Sequence, residues 1–248
     1  MSHNSTASRG PAYVLQAQDV AIHYGGVKAL DGASLTLEKG QIRGLIGPNG
    51  AGKSTVIDAI TGRRPLTRGQ VMLMGENVSA LGAVERRRRG LSRSFQRTSI
   101  FSRMGVRQQV ELASHKMGVA DSQADADAIL QELDLARLSH SRAEDLGYGE
   151  QRRLDLALAL VGRPKVLMLD EPMAGLSVKE SMDLARHLKQ LTASWEVSVL
   201  LVEHDMDVVF GISDAVTVFE LGRVIASGAP AEVRANPRVR EAYLGSAA

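Results

Sequence analysis

Nine consecutive residues, Gly47-Pro48-Asn49-Gly50-Ala51-Gly52-Lys53-Ser54-Thr55, have the types and spacing of a phosphate cradle. Three glycines let the backbone curl tightly and turn successive N–H groups inward. A strand-like run from Ile42 to Ile46 precedes the stretch and a helix-like run from Val56 to Ile60 follows it. The unpaired amides of the helix's first turn and the positive end of its dipole then face one point. Lys53 is expected to reach the β- and γ-phosphates, and the Ser54 hydroxyl to ligate Mg²⁺. These residues predict a site for a nucleoside triphosphate.

Two further groups have compatible chemistry. The apolar run Val166-Leu167-Met168-Leu169 delivers Asp170 and Glu171 at what reads as the end of a buried parallel strand. Such strands end beside the phosphate loop, so Asp170 is expected to hold the Mg²⁺ shell. Glu171, one residue further on, is placed to polarise an attacking water. Val197 to Val202 is a second apolar run, and it delivers His204 at its end, where an imidazole can sense a γ-phosphate. Gln96 in Arg93-Ser94-Phe95-Gln96-Arg97 is a lone amide, and on its own it reads as a surface glutamine.

The elements that must position these groups follow from periodicity. Tyr13 to Tyr24, Ala33 to Leu37 and a hairpin over Gln70 to Val78 read as strands of a small antiparallel sheet beside the nucleotide core. Helical periodicity takes over from about 105 to 160, with helices expected from Ser122 to Leu133 and from near Glu150 to the stop at Arg163-Pro164. Leu154, Ala157, Leu158 and Val161 share one face of the second. Ser177-Val178-Lys179-Glu180 reads as a capping box opening a helix to about Leu191. Ala215 to Phe219 and Arg223 to Ala226 predict a hairpin through Leu221-Gly222, and residues 1–12 read as a disordered lead. The predicted fold is α/β: a phosphate-loop core on a mostly parallel sheet, an N-terminal antiparallel β subdomain, and a helical subdomain inserted at about 97–160 in one domain of 13–248.

Composition narrows the partners. With 248 residues, 44% hydrophobic and 23% charged, the chain can bury a sizeable core. A net charge of +2 and 4% aromatics provide no stacking platform or basic field for nucleic acid. The absence of cysteine excludes disulfides, thiolate metal sites and Cys nucleophiles. No window approaches the roughly 18 apolar residues of a membrane span, so a cytoplasmic chain reaching a membrane only through a partner is expected. Arg86 to Arg89 reads as a solvated helix face, Trp195 as a core or rim filler, and the nine methionines as packing.

The order of motifs resembles the nucleotide-binding subunits of ABC transporters. It runs from the phosphate loop through Gln96, Leu146-Gly147-Tyr148-Gly149-Glu150-Gln151-Arg152-Arg153 and Asp170-Glu171 to His204, and the likeness covers about residues 13 to 245. The resemblance implies that Tyr24 stacks on adenine, that Gln96 lies near Mg²⁺ and the permease contact, and that His204 is the switch histidine. It also implies that Gly147, Tyr148, Gly149 and Glu150 bind the γ-phosphate of ATP held by an opposite subunit. Two subunits, identical or paralogous, would then sandwich two ATP head to tail on the inner face of the cell membrane, working through integral-membrane permease subunits. An extracytoplasmic solute-binding protein would be an indirect partner. Tyr148 to Leu154, Glu171 to Leu176, Val202 to Met206 and the tail Asn236 to Gly245 resemble the ATPases of branched-chain amino acid uptake, a group that includes urea and short-amide systems.

Three positions depart from that pattern: Gly147 stands where Ser is usual, Glu150 where Gln is frequent, and Ser177 where Asp is usual. Losing one γ-phosphate hydrogen bond costs about 1–3 kcal/mol of closure. The alternatives to an importer ATPase are therefore a weakly catalytic, ATP-clamping subunit of a heterodimeric transporter and a non-transport ABC ATPase.

Overall fold

The computed structural model describes residues 13–94 and 99–244. The expected lead at 1–12 and Gln96 lie outside the described residues. Two sheets organise the chain. An antiparallel sheet in the order β2-β1-β4-β5 is made by β1 (Tyr13–Tyr24), β2 (Val27–Glu38), β4 (Arg68–Leu73) and β5 (Glu76–Asn77). The central sheet has the order β10-β9-β3-β8-β7-β6, built from β3 (Ile42–Ile46), β6 (Leu91–Arg93), β7 (Val166–Asp170), β8 (Ser198–Val202), β9 (Ala215–Glu220) and β10 (Arg223–Gly228). Its neighbours are parallel except β10, which pairs antiparallel with β9.

The apolar runs become strands because both faces of the central sheet are covered, and every residue of β3, β7 and β8 is buried. Successive side chains then serve two cores. Met168, Leu200 and Val202 pack with Val56, Ile57 and Ile60 of α1 (Lys53–Ile60) and with Leu15, Leu30 and Leu37 of the antiparallel sheet. Leu167, Leu169, Val199 and Leu201 face the opposite way, toward α5 (Tyr148–Leu160) and α6 (Val178–Ser194). The same core takes in α3 (Val106–Lys116) and α4 (Ser122–Glu132) through Val106, Val110, Ile129 and Leu130. The helical lobe therefore shares its core with the sheet through α5.

The remaining helices are α2 (Ala83–Arg88), α7 (Met206–Ile212), α8 (Pro230–Ala235) and α9 (Pro237–Leu244). The capping box forms as expected: Ser177 N donates to Glu180 Oε2 at 2.9 Å, and Ser177 Oγ accepts from Glu180 N at 3.3 Å. Trp195 closes α6, partly buried, with the Arg163 guanidinium 3.5 Å above its ring.

Two expectations are corrected. The helix expected near Glu150 starts at Tyr148 with Gly147 as N-cap, and it is buried on nearly all sides because it lies between lobe and sheet. Of the four arginines, Arg86 and Arg87 do not form the expected solvated face, while Arg88 is exposed and Arg89 pairs with Glu76 at the surface. Arg86 is 1% exposed, and its guanidinium donates to the carbonyls of Ala59, Ile60, Ser79 and Leu81. Arg87 donates to Val161 O at 2.6 Å. Both cations satisfy chain carbonyls at helix ends.

Candidate active site

The phosphate loop leaves β3 and enters α1. Gly50 and Gly52 have φ of 78° and 103°, the left-handed region that favours glycine. Packing adds a second constraint: a Cβ on Gly47 would lie 2.4 Å from Phe219 O, and one on Gly52 2.9 Å from Ala29 O. The loop therefore rests directly on β2 and β9, closed by Ala51 N to Pro48 O at 3.1 Å and Gly222 N to Ala51 O at 2.9 Å. Pro48, Asn49, Gly50 and Ser54 remain exposed, while Thr55 is half-buried. Lys53 is buried, and its ammonium donates to Gly47 O at 2.6 Å and Pro48 O at 3.0 Å. Burial pushes its pKa down, opposed by the carboxylates of Glu171 and Asp170.

Those carboxylates come from β7, and β8 lies between β7 and the phosphate-loop strand β3. Three adjacent strand ends thus hold Gly47, Asp170-Glu171 and Glu203-His204. Asp170 is 6% exposed and accepts from Arg93 Nη2 at 3.0 Å. Arg93 also pairs with Asp58 of α1, joining the phosphate-loop helix to the end of β7. Glu171 has φ 52°, and its N–H donates to Val202 O at 2.9 Å. Its Oε1 is hydrogen-bonded to His204 Nε2. Glu203, buried beside this pair, accepts from Met173 N at 2.7 Å and His204 N at 3.1 Å. Burial, with the nearby Glu171 charge, pushes its pKa up against those two donors.

A divalent cation suits this donor set. Among the described residues no group of three or more His, Cys, Asp or Glu side chains could hold a metal by itself. A hard cation that takes one or two protein oxygens and completes its shell with phosphate and water fits Ser54 and Asp170.

Three of the four residues expected to act in trans, Gly147, Gly149 and Glu150, line a second cleft of about 410 Å³ together with Arg153, Lys179 and Glu180, and Tyr148 does not. Gly147 N donates to Glu150 Oε2 at 3.0 Å, and the other oxygen of Glu150 accepts from Arg137. Tyr148 is exposed, with its hydroxyl donating to Ala174 O at 3.2 Å. None of the phosphate-loop residues lines this cleft. Tyr24 stands apart, 48% exposed at the end of β1, with the Arg64 guanidinium 6.0 Å from its ring centre. Gln96 falls outside the described residues, but both flanks of its segment are tied to Asp155 of α5: Ser94 Oγ at 3.1 Å and Ser99 N at 2.8 Å.

Sequence reasoning does not single out Arg93, Asp155 or Glu203. Each acts through a partner on a distant element. Only the position of Glu203 next to His204, as a charged residue leaving an apolar run, could have flagged one of them.

Known proteins match this arrangement. The family model described as "ABC transporter" matches residues 30–174, and that described as "Branched-chain amino acid ATP-binding cassette transporter" matches residues 223–248. The High-affinity branched-chain amino acid transport ATP-binding protein BraF of Pseudomonas aeruginosa is 37% identical, covering 94% of this chain and 98% of its own length. The Lipopolysaccharide export system ATP-binding protein LptB of Escherichia coli is 31% identical, covering 93% and 97%. Among solved structures, the ADP conformation of MJ1267, an ATP-binding cassette of an ABC transporter, superposes with a TM-score of 0.84 at 28% identity, covering 95% of this chain and all of that one.

Proposed function

Since this chain belongs to the ABC transporter ATP-binding family, we propose that it is the ATP-hydrolysing motor subunit of an importer for branched-chain amino acids or a similar small polar solute. The tail matched at 223–248 and the higher identity to BraF than to the export subunit LptB favour import. The observation that carries the hydrolytic reading is the Glu171–His204 hydrogen bond at strand ends flanking the phosphate loop, with Lys53 in the field of Glu171 and Asp170.

In this reading the loop amides from Gly47 to Thr55 and the Lys53 ammonium bind the β- and γ-phosphates, and Tyr24 stacks on adenine. Ser54 and Asp170 hold Mg²⁺, with Gln96 beside them, and the cation when bound neutralises charge on the phosphate oxygens. Glu171 accepts a proton from the attacking water, and His204 orients Glu171 and contacts the γ-phosphate. Gly147, Tyr148, Gly149 and Glu150 serve the ATP of a second subunit. Catalysis is then positioning plus electrostatics, completed only when two subunits close.

No helix of the described residues is long and apolar enough to cross a membrane. Membrane association through permease subunits follows from the family, with an extracytoplasmic solute-binding protein delivering the solute. The domain comprises residues 13–248, with the helical lobe at about 97–160. The test is Glu171→Gln in the assembled complex. ATP binding is expected to persist while turnover falls about 100-fold or more, the scale on which general-base contributions fall. Retained hydrolysis would mean that Glu171 is not the base.

A further inference from the structure

The carboxylate of Glu203 takes no part in the proposed hydrolytic chemistry, yet it is 5% exposed and lies one residue from His204. Both of its oxygens are used. Oε1 accepts from the backbone N–H of Met173, two residues beyond Glu171, and Oε2 accepts from the backbone N–H of His204. The side chain therefore spans two loops that leave neighbouring strands β7 and β8, and each loop bears one member of the Glu171–His204 pair.

Those loops need such a link. Glu171 sits at φ 52°, a left-handed conformation that costs a non-glycine residue roughly 1–2 kcal/mol. One restraint is the bond from Glu171 N to Val202 O, which fixes the backbone on the β7 side of the kink. The bond from Met173 N to Glu203 fixes it on the far side. Between these two restraints the Glu171 carboxylate is aimed at His204 Nε2, and the backbone N–H of His204 is tied to the same Glu203. A buried carboxyl group tolerates its site only while its oxygens are satisfied, so the clamp is stiff.

We propose that Glu203 is a positioning residue for ATP hydrolysis, a two-oxygen clamp that sets the distance between Glu171 and His204. This rests on the hydrolytic reading of Glu171. Loss of the clamp frees the kink at Glu171 and leaves the phosphate loop, to which neither hydrogen bond of the clamp runs, as it was. The consequence falls on the rate of the chemical step and spares nucleotide affinity, since a misplacement of about 1 Å at a reacting group costs on the order of 100-fold in rate.

The experiment compares wild type, E203Q, E203A and E171Q in the assembled transporter. Steady-state kcat and KM for ATP are measured together with direct ATP affinity and amide exchange at Met173. Gln is nearly isosteric with Glu but turns one acceptor into a donor, so one of the two N–H groups loses its partner. E203Q is expected to lose about 10-fold or more in kcat, with KM and affinity within twofold of wild type and faster exchange at Met173; E203A is expected to lose more. An unchanged kcat in E203Q, or parallel loss of kcat and ATP affinity, overturns the proposal. Should E203A fail to fold, E203Q decides alone through the same readouts. Absence of turnover in wild type, or full turnover in E171Q, would instead overturn the hydrolytic reading on which the proposal depends.

Discussion

The guanidinium of Arg86 closes the far end of the helix that begins at the phosphate loop. It donates to Ala59 O at 2.8 Å and Ile60 O at 2.6 Å, among the last carbonyls of α1, and it also reaches Ser79 O and Leu81 O. Gly62, at φ 75°, makes room for it, since a Cβ there would lie 2.8 Å from Arg86 Nε. Arg87 does the equivalent at the C-terminus of α5 through Ala159 O and Val161 O. Burial pushes both pKa values down, but a guanidinium stays charged in proteins. The two helices whose N-termini face the two candidate phosphate clefts thus each carry a cation at the opposite pole, where it complements the dipole. Arg86→Ala is expected to destabilise the fold by about 3 kcal/mol, because buried carbonyls lose a charged donor and a cavity opens. Chemical denaturation measures this. Arg86→Lys should recover part of the loss, since an ammonium reaches fewer of the four carbonyls, and a change below about 1 kcal/mol in Arg86→Ala would refute the cap.

Helix α5 shows how one element ties several parts of the site together. Its first turn lines the second cleft, and Asp155 at its middle ties the flanks of the Gln96 segment, with burial pushing that carboxyl's pKa up. Its Tyr148 and Arg152 both donate to Ala174 O, in the loop that follows Glu171. Glu180 of α6 packs against Gly149 while serving the capping box with Ser177. A Cβ on Gly149 would lie 2.5 Å from Glu180 Oε1. Gly149→Ala must therefore displace Glu180 from its cap, a loss of about 1 kcal/mol. The variant is expected to bind ATP at its own phosphate loop as wild type does and to fail in ATP-dependent pairing. Calorimetric ATP titration beside light scattering checks both halves, and normal pairing would free Gly149 of the role. Much of this geometry was legible in the chain because it is local. The phosphate loop, the Asp170-Glu171 strand end and the Ser177–Glu180 cap each lie within a few consecutive residues. What escaped is long-range. Arg93 is 77 residues from Asp170, and Arg86 is 27 from Ala59. A run of four arginines carries no mark of which will be drawn into a helix end, and Gly147, rather than a residue nearer Glu150, proved to be the N-cap because Glu150 bonds back to its amide.

At the scale of the whole molecule, the two proposed phosphate-binding surfaces stand apart, and that separation makes pairing the natural way to complete a site. The phosphate loop offers Lys53, buried and positive, with exposed Asn49, Gly50 and Ser54 above it. The second cleft offers Arg153 and Lys179, but three carboxylates, Glu150, Glu180 and Asp183, stand beside them. Each of these is engaged: Glu150 with Arg137 and Gly147 N, Glu180 with Ser177, and Asp183 with Arg186. A γ-phosphate arriving on a partner's loop must enter a cleft where three carboxylates stand beside Arg153 and Lys179, two of them offset by Arg137 and Arg186, so pairing should depend on charge compensation. In Glu171→Gln, which retains ATP, light scattering is expected to show a dimer with Mg²⁺-ATP and a monomer without nucleotide. ATP with chelator should give a weaker dimer than Mg²⁺-ATP, because the cation offsets charge that the cleft cannot. Raising ionic strength should strengthen pairing if repulsion by the three carboxylates dominates, since salt screens exposed charges beyond about 10 Å at 0.1 M. A monomer that binds ATP under every condition would mean that closure needs a paralogue or the permease. Glu150→Gln, which keeps the cap to Gly147 N and removes one of the three charges, would then be the first variant to restore it.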